Sequence, residues 1–305
     1  MTADVVIVTW RAGGRVLGCL ERLVEEVEPE RIVVVDNASG DGTVEGVRAS
    51  FPRVRVIEME RNVGFGAAVN AGARAAQGDA LVLVNDDVEV DRGCIAALLE
   101  PLRREERCGM VAGLTLMPGR QLVDGFGIEL DVTLAAYNRL RGRAPDALPG
   151  ALAMPSGGLA AYRRRAFEQV GGFDERLFAY GEDVDLGLRL RLAGWRAAQA
   201  PDARGVHEGG ATIVVGSPGQ RRHAGFARGF LLRRYGVLRS RAAARALLFE
   251  VLVVGWGLLR RQTTLPLRAR VAGWRAASGR PLTAPPDAID SSISAREAFA
   301  RLRGG

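Results

Sequence analysis

Two groups of acidic residues in this chain have the types and the spacing of a catalytic site. In the first group, Asp86 and Asp87 follow a short apolar run, with Asn85 directly before them. Carboxylate oxygens at that place could bind a hard divalent cation, because Mg²⁺ and Mn²⁺ take oxygen ligands from carboxylates and from nucleotide phosphates. Adjacent acids also occur commonly in solvated turns, so the pair by itself leaves a metal site and an ordinary turn open.

The second group is Glu182, Asp183 and Asp185, at the start of a predicted helix. Acids in a first helical turn are stabilised by the helix dipole and by free backbone N–H groups, so capping is one explanation for them. An ionised carboxylate in a cleft can instead take a proton from a hydroxyl nucleophile. Glu182 and Asp183 are the candidates for that general base, whereas Asp185 is interpreted as a capping or solvated residue.

A histidine could complete the first group. His207 is one of two histidines in the chain and follows a predicted strand. A lone histidine is more often structural than a ligand. Beside Asp87, however, its neutral imidazole could complete a Mn²⁺ site made of carboxylates and phosphates. The other histidine, His223, lies among arginines and is interpreted as a surface residue.

An alternation of strands and helices must position these side chains. Apolar, β-branched runs predict strands at 4–9, 32–35, 54–59 and 80–84, with helices at 16–27 and 66–77. Such alternation is typical of a parallel, doubly wound sheet with right-handed crossovers, in which ligands bind beyond the carboxyl ends of the strands. The polar clusters follow these ends: Thr9-Trp10, Asp36-Asn37, Arg61-Asn62 and Asn85-Asp86-Asp87.

Beyond residue 110 the pattern is less regular. Residues 114–158 hold many glycines and prolines, which predicts short antiparallel strands and loops. Helices are predicted again near 163–170 and 182–193, and Gly194 caps the second of them at its C-terminus.

The glycine-rich signatures of other nucleotide-binding folds are missing. Gly64-Phe65-Gly66 suggests that the backbone approaches a phosphate, but Arg11-Ala12-Gly13-Gly14 replaces the dinucleotide fingerprint after the first strand. Nicotinamide binding is therefore disfavoured. A phosphate-binding loop that ends in Gly-Lys is excluded, because the chain has no lysine.

The composition is that of a folded protein, with 305 residues of which 48% are hydrophobic and 25% charged. It excludes a disordered chain and a collagen-like fibre. The three cysteines are too few for a disulfide framework or a four-thiolate zinc site, which favours an intracellular protein. No apolar run is long enough to predict a signal peptide or a membrane-spanning segment.

The positive charge is concentrated at the C-terminal end. The net charge is +7, and residues 221–305 hold 17 Arg against 4 acidic residues. The apolar stretch 242–261, with Arg on both sides, suits the anionic surface of a membrane, or a helix packed on the rest of the chain with a solvated basic rim. Nucleic acid is disfavoured as a partner, because aromatic residues are sparse there.

Several motifs in a fixed order resemble a known family. They are Val5 to Trp10, Val33 to Thr43, Arg61 to Gly66 with Asn70, Leu83 to Asp87, Gly171 to Glu175, Tyr180 to Leu186, and Val206 to Gly210. Each motif is unspecific by itself. Together, over residues 4–212, they resemble family 2 glycosyltransferases and in particular the bacterial rhamnosyltransferase-like branch.

The resemblance implies the A-type glycosyltransferase fold, an α/β fold in which a Rossmann-like nucleotide-binding half merges with an acceptor-binding half. Residues 1–220 would form the catalytic domain, with the nucleotide-sugar half at 1–112 and the acceptor half at 113–220. A C-terminal helical extension would follow, made of a basic helical region at 221–280 and a loose tail at 281–305.

The resemblance also implies roles for single residues. The residues that would bind the nucleoside diphosphate sugar are Thr9, Trp10, Asp36, Asn37, Asn62, Gly66, Asn70, Asn85 and Asp86. Thr9 and Asp36 would contact its base and ribose. Asp87 matches the last carboxylate of the family's Asp-x-Asp motif and would bind Mg²⁺ or Mn²⁺ with His207. The first position of that motif is Asn85, and an amide is a weaker metal ligand, which leaves more of the coordination to Asp87, His207 and the diphosphate.

The implied reaction is a single inverting displacement at the anomeric carbon, with Asp183 as the base and Glu182 orienting it or sharing its task. The first donor to try is dTDP-rhamnose, with UDP-linked sugars next, and the acceptor would be a glycan or a polyprenyl-linked saccharide of cell-wall or polysaccharide synthesis. A cytoplasmic location is implied, and a peripheral position on the inner face of the cell membrane stays open. Two alternatives are a nucleotidyltransferase that forms sugar nucleotides and an inactive membrane-bound scaffold.

Overall fold

The computed structural model describes residues 1–146, 152–209, 217–261 and 263–304. The strands are β1 (Ala3–Thr9), β2 (Ile32–Asp36), β3 (Arg55–Glu58), β4 (Ala80–Val84), β5 (Val88–Val90), β6 (Cys108–Leu116), β7 (Val123–Gly125), β8 (Ile128–Leu130), β9 (Ala136–Asn138), β10 (Leu159–Arg163) and β11 (Arg196–His207). The helices are α1 (Arg15–Leu23), α2 (Thr43–Ser50), α3 (Phe65–Ala75), α4 (Cys94–Arg104), α5 (Arg164–Gln169), α6 (Glu182–Leu192), α7 (Pro218–Arg234), α8 (Ala243–Arg261), α9 (Leu265–Ala276) and α10 (Ala295–Gly304). The short 3-10 helices are Pro29–Arg31, Val237–Arg239 and Pro286–Ala288.

The central sheet has the strand order β3-β2-β1-β4-β10-β6-β11-β5, with β7 paired to β6. Its first four strands are parallel, which confirms the β-α-β units predicted for the N-terminal part. The chain builds the sheet first to one side of β1 and then, with β4, to the other side. Ligands bind at such a switch point, beyond the carboxyl ends of the strands.

The second half of the sheet is mixed, in contrast to the parallel order of the first. β10 runs antiparallel to both β4 and β6, whereas β11 runs parallel to β6 and antiparallel to β5. β10 was not predicted, because a strand of five residues that is buried on both faces shows no alternation. The short antiparallel strands predicted after residue 114 are β7, β8 and β9, of which β8 and β9 form a separate hairpin.

Helices cover both faces of the sheet. On one face Val5 of β1 belongs to an apolar cluster with Leu20 of α1 and Leu98 of α4. On the other face Val6 of β1 belongs to a cluster with Val69 of α3. Successive residues of β1 point to opposite faces, so a strand covered on both sides must be apolar at nearly every position.

The C-terminal helices pack directly on the part of the chain that holds the two sheets. α7 and α9 approach so closely that a Cβ on Gly229 would lie 2.0 Å from the carbonyl oxygen of Arg270, which only glycine permits. α8 is attached through Arg245, whose NH2 group is 3.0 Å from the fully buried carboxylate of Asp131. In the described part of the chain, no helix combines the length and the apolar character needed to cross a membrane.

Residues 281–305 differ from the loose tail that was predicted. They include α10, in which Ala298 is fully buried and Arg301 donates to Glu129 of β8 at 2.6 Å. Ile293 and Ala298 form an apolar cluster with Phe249 of α8. The proline- and serine-rich composition did not predict this packed helix, because its apolar partner lies on α8, far away in sequence.

Candidate active site

The carboxyl ends of β1 and β2 place Thr9 and Asp36 side by side. The two residues are register partners, and the Asn37 N–H donates to the carbonyl of Thr9 at 2.8 Å. Asp36 is buried, and its Oδ2 accepts the Ser39 N–H at 3.0 Å, while Oδ1 accepts no hydrogen bond from any described residue. Such a buried oxygen suits a hydroxyl or ring N–H of a ligand. Trp10 follows at the strand end and is partly buried.

Asn37 and Asn62 fix the loop that leads into α3. The Asn37 amide donates to Asn62 Oδ1 at 3.1 Å and to the Gly64 carbonyl at 3.2 Å, and its oxygen accepts the Val63 N–H at 2.9 Å. Asn62 Oδ1 also accepts the Gly64 N–H at 3.0 Å. These two amides therefore hold the backbone of the loop against the end of β2.

Asn70 and Gly66 of α3 contact the segment that precedes α6. The Asn70 amide donates to the Phe173 carbonyl at 2.9 Å and to Glu175 at 3.1 Å, and its oxygen accepts the Phe173 N–H at 2.9 Å. A Cβ on Gly66 would lie 2.8 Å from the Phe173 Cβ. Both residues thus attach α3 to this segment, and the hydrogen bonds of the Asn70 side chain are made within the protein.

β4 ends at Asn85, Asp86 and Asp87, next to β10 and β11. The Asn85 N–H donates to the Gly158 carbonyl at 3.0 Å. Burial raises the pKa of Asp86 to about 6, and the charge of Asp87 adds to the shift. Asp87 faces β11, where its Oδ1 lies 3.2 Å from Nε2 of His207. The structure therefore brings together the two residues that were predicted as metal ligands.

His207 lies between two carboxylates. Its Nδ1 is 2.7 Å from Oδ2 of Asp124, and its Nε2 faces Asp87. Asp124 also accepts a hydrogen bond of 2.6 Å from Arg141. The hydrogen bond with Asp124 and then the one with Asp87 raise the pKa of His207 to about 10. The two carboxylates thus stabilise the imidazolium, and a cation bound at Nε2 would replace the proton there.

Asp124 is a site residue that the sequence analysis missed. It lies on β7, in a stretch predicted only as short strands and loops, and no motif distinguishes it from other surface acids. The pairing of β7 with β6, and of β6 with β11, carries it to His207 although 83 positions separate the two in sequence.

Asp87 and His207 fit a divalent cation as two protein ligands. Asp124 occupies Nδ1 and so turns Nε2 towards Asp87, an arrangement that orients metal-binding imidazoles in many sites. Among the residues that the structure describes, no group of three His, Cys, Asp or Glu side chains could hold a metal ion. Further ligands would have to be diphosphate oxygens and water, as is usual for Mg²⁺.

Glu182 and Asp183 begin α6 directly after Gly181, whose φ of 77° makes the left-handed turn into the helix. Asp183 Oδ2 accepts the Gly157 N–H at 3.0 Å. Asp183 Oδ1 and Glu182 Oε2 are buried and accept no hydrogen bond from the described residues. Burial raises the pKa of both carboxyls, and the charge of Asp183 adds to the shift of Glu182. Asp183 is thus fixed through one oxygen, while the other is an acceptor without a donor among the described residues.

One cavity of about 870 Å³ lies between the second predicted group and His207. Its lining includes Asn85, Glu182, Asp183 and His207, together with residues of α7, α8 and α9. The other predicted site residues are outside this lining: Thr9, Trp10, Asp36, Asn37, Asn62, Gly66, Asn70, Asp86 and Asp87. The candidate base and His207 therefore open into the same space, whereas Asp87 reaches it only through its contact with His207.

Two residues that were interpreted as surface groups are in fact packed. Asp185 is fully buried, with its Oδ1 2.9 Å from both the Tyr235 hydroxyl and Arg234 Nε of α7. His223 of α7 is partly buried, and its ring stacks on Phe178 with a centroid distance of 4.6 Å. Both interpretations failed because no local pattern shows that α7 packs against α6 and the segment before it.

The matched family models fall on the parts of the chain that build this site. A model described as glycosyl transferase family 2 matches residues 4–171, and one described as the N-terminal domain of galactosyltransferase matches residues 152–207. The N-acetylglucosaminyl-diphospho-decaprenol L-rhamnosyltransferase of Mycobacterium tuberculosis is 34% identical over 232 residues, which are 67% of this chain and 75% of that protein. The pre-mycofactocin glycosyltransferase of the same organism is 29% identical over 198 residues, 62% of this chain and 40% of that protein.

Solved structures show the same fold at lower identity. The crystal structure of GalNAc-T7 with UDP, GalNAc and Mn²⁺ matches with a TM-score of 0.60 and 17% identity, over 85% of this chain and 56% of that chain. The mannosyltransferase PcManGT from Pyrobaculum calidifontis, in complex with GDP-Man and Mn²⁺, matches with a TM-score of 0.55 and 21% identity, over 99% of this chain and 80% of that chain.

The curled mixed sheet and its structural neighbours define the class of the protein as a glycosyltransferase of the A-type fold, followed by helices. Within that class, the chain belongs to glycosyl transferase family 2, and its sequence is rhamnosyltransferase-like.

Proposed function

We propose that this glycosyltransferase moves L-rhamnose from dTDP-rhamnose to a hydroxyl of a lipid-linked saccharide, with inversion and with a divalent cation. The mycobacterial relative is named for a rhamnosyl transfer to a decaprenyl diphosphate saccharide, and its 34% identity over 67% of this chain supports the same sugar and acceptor class. One observation carries the mechanism: Asp183, with a buried oxygen that accepts no hydrogen bond, lines the same cavity as His207.

The donor occupies the edge of the sheet formed by β1, β2 and β4. Thr9 and Asp36 bind its base and ribose, because Asp36 Oδ1 is a buried acceptor without a donor among the described residues. Trp10, Asn85 and Asp86 line the same edge, at the ends of β1 and β4. Residues whose amides are already used, such as Asn37, hold the surrounding loops in place.

Asp87 and His207 would hold a divalent cation, which would supply neutralisation of the charge that develops on the leaving diphosphate. Asp183 Oδ1 takes the proton of the acceptor hydroxyl, and the hydroxyl oxygen attacks the anomeric carbon. The bond from that carbon to the diphosphate oxygen breaks in the same step, so the configuration inverts. Glu182, directly before Asp183 in the first turn of α6, orients that base or shares its task.

The donor half and the acceptor half of the site come from successive parts of the chain. Residues 1–112 bind the donor and residues 113–220 supply the base and most of the acceptor site. Helices α7, α8 and α9 line the cavity as well, and they therefore complete the acceptor site.

A donor screen tests this proposal. The protein is heated with Mn²⁺ and either dTDP-rhamnose, UDP-glucose or GDP-mannose, and the midpoint of unfolding is measured. A ligand at 100 times its dissociation constant adds about 2.7 kcal/mol to the free energy of unfolding, so the correct donor raises the midpoint measurably. We expect dTDP-rhamnose to protect most and Asp87→Ala to lose the part of the protection that depends on Mn²⁺.

Asp183→Asn separates the chemistry from binding. General-base catalysis contributes about 10²–10⁴-fold, so turnover should fall by that factor while protection by dTDP-rhamnose is retained. The matched control is Asp202→Asn, at an exposed position of β11, which should transfer sugar at the normal rate. Near-normal turnover of Asp183→Asn would refute the assigned base, and protection by UDP- or GDP-sugars alone would refute the donor.

A further inference from the structure

Helix α8 has an uncovered apolar face. The side chains on it are between 42% and 83% exposed: Leu247, Leu248, Val251, Leu252, Leu258 and Leu259. We call these six residues the outer face of α8. Their spacing of one, three, four and seven places them on one side of the helix. Contiguous exposed apolar surface of this kind marks an interaction site in a folded protein.

The opposite side of the same helix is also apolar, and it faces the rest of the chain and the cavity. Ala246 and Phe249 are buried against the rest of the chain, whereas Val253 and Trp256, which are 37% and 57% exposed, line the cavity that contains Glu182 and Asp183. α8 is therefore the wall between the acceptor cavity and the exterior. The outer face lies on the other side of this wall, where no other part of the described chain buries it.

Arginine provides most of the charges of α8, α9 and the segment before α8. Glu250 is the single acidic residue between positions 243 and 276. It lines the cavity and is held by Arg228 at 2.7 Å and by Arg270, and these contacts keep its pKa below the usual value in spite of burial. Exposed arginines flank the helix and lie on α9: Arg239, Arg241, Arg268 and Arg275.

α9 repeats the combination of apolar and basic side chains. Leu267, Val271 and Trp274 are 36% to 45% exposed, and no acidic residue occurs in Leu265–Ala276. A large apolar face that is bordered by arginine and has no carboxylates complements an anionic lipid surface. Leucine side chains are buried among the acyl chains, and guanidinium groups pair with the phosphate head groups.

We propose that the outer face of α8, with the arginines around it, lies on the surface of an anionic phospholipid bilayer. The wall of the acceptor cavity then rests on the membrane that holds a lipid-linked acceptor, so the saccharide reaches Asp183 while its lipid stays in the bilayer. The membrane contact depends only on α8 and α9, and its link to the acceptor rests on the function proposed above.

Vesicle flotation tests the contact with the full chain. Vesicles of phosphatidylcholine and phosphatidylglycerol in equal parts are compared with vesicles of phosphatidylcholine alone, at low and at high salt. We expect the protein to float with the anionic vesicles at low salt. At least about tenfold less protein should float with the neutral vesicles. The double variant Leu248→Asp with Val251→Asp should lose about tenfold or more of the binding to anionic vesicles, because it places two charges on the apolar face.

The matched control is Leu122→Asp with Leu192→Asp, which changes two leucines of similar exposure, 42% and 45%, outside α8 and α9. It should float like the original protein. Equal flotation of the α8 variant, or no flotation of the original protein, would overturn the proposal. Light scattering provides the other decisive outcome: a dimer that the α8 variant dissociates would show that a second copy covers this face.

Donor-dependent thermal protection keeps this test separate from the proposed function. Both variants should retain protection by dTDP-rhamnose, which shows that they fold. If the original protein does not float but keeps its protection by dTDP-rhamnose, the membrane contact alone is contradicted. Flotation of a protein that no nucleotide sugar protects contradicts the proposed function alone.

Discussion

Single side chains of the site act through partners that are distant in sequence. His207 provides the clearest case, because Asp124 fixes its Nδ1 and thereby directs Nε2 to Asp87. A residue of this kind needs no contact with substrate to control the site. Its substitution should change the affinity for a cation and leave the backbone in place.

We expect Asp124→Asn to weaken Mn²⁺ binding by about 10- to 100-fold, as substitutions of residues that orient metal ligands typically do. The measurement is a Mn²⁺ titration by electron paramagnetic resonance, which needs no turnover. Asp146→Asn, at an exposed position of the same half of the chain, is the matched control and should bind Mn²⁺ normally. Unchanged Mn²⁺ affinity in Asp124→Asn would exclude the orienting role.

The buried position of Asp183 predicts a displaced pH profile. Burial raises the pKa of this carboxyl above its usual value of about 3.9, and a general base works only when it is ionised. Turnover should therefore rise with pH along a limb that lies well above pH 4, and protonation below that limb should abolish transfer. A profile of kcat against pH measures it, and a midpoint near 4 would contradict the assignment.

Helix α6 combines the proposed catalytic residues with a contact that stabilises the fold. Its first turn supplies Glu182 and Asp183 to the cavity, and its next acid, Asp185, attaches the helix to α7. Asp185 also accepts a hydrogen bond of 2.6 Å from Arg189 in the following turn. The helix is thus fixed from its far side, which holds the base in place over the cavity.

We expect Asp185→Asn to lower the free energy of unfolding by about 3 kcal/mol, because it leaves two largely buried guanidinium groups beside a neutral amide. Urea unfolding measures the change. Glu58→Gln removes one partner of the exposed pair with Arg48 and should cost less than about 1 kcal/mol. A loss at Asp185 no larger than the loss at Glu58 would show that α7 does not depend on this contact.

The whole molecule behaves as one unit in its packing. The C-terminal helices cover α6 and the β8–β9 hairpin, and they close one side of the acceptor cavity. Tyr235 and Arg245 reach buried carboxylates in the catalytic part. The two parts of the chain therefore depend on each other for the burial of charge as well as of apolar surface.

Removal of residues 218–305 should accordingly leave a chain without cooperative unfolding. It would leave the buried carboxylates of Asp131 and Asp185 without their arginine and tyrosine partners from the C-terminal helices, and it would expose the apolar surface that these helices cover. Circular dichroism during urea titration distinguishes the outcomes. A sharp transition, together with retained donor protection, would show that the catalytic part folds by itself.

The amino-acid sequence by itself determined the parallel strands β1 to β4, the helix that begins at Glu182, and the polar clusters at the strand ends. Local signals suffice for these features, because an apolar run next to turn-forming residues specifies a buried strand and its end. The order of the motifs was also enough to identify the family. The proximity of Asp87 and His207 was predicted from the motifs, and their metal-binding role stays a proposal.

Only the tertiary structure decided which side chains meet. Asp124 reaches His207 through two strand pairings, Asp185 is buried by a helix that starts more than thirty positions later, and α10 finds its apolar partner on α8. No periodic pattern in the sequence predicts these contacts, because each contact joins single residues on separate elements. Packing places the charges, and the chemistry of the site follows from that placement.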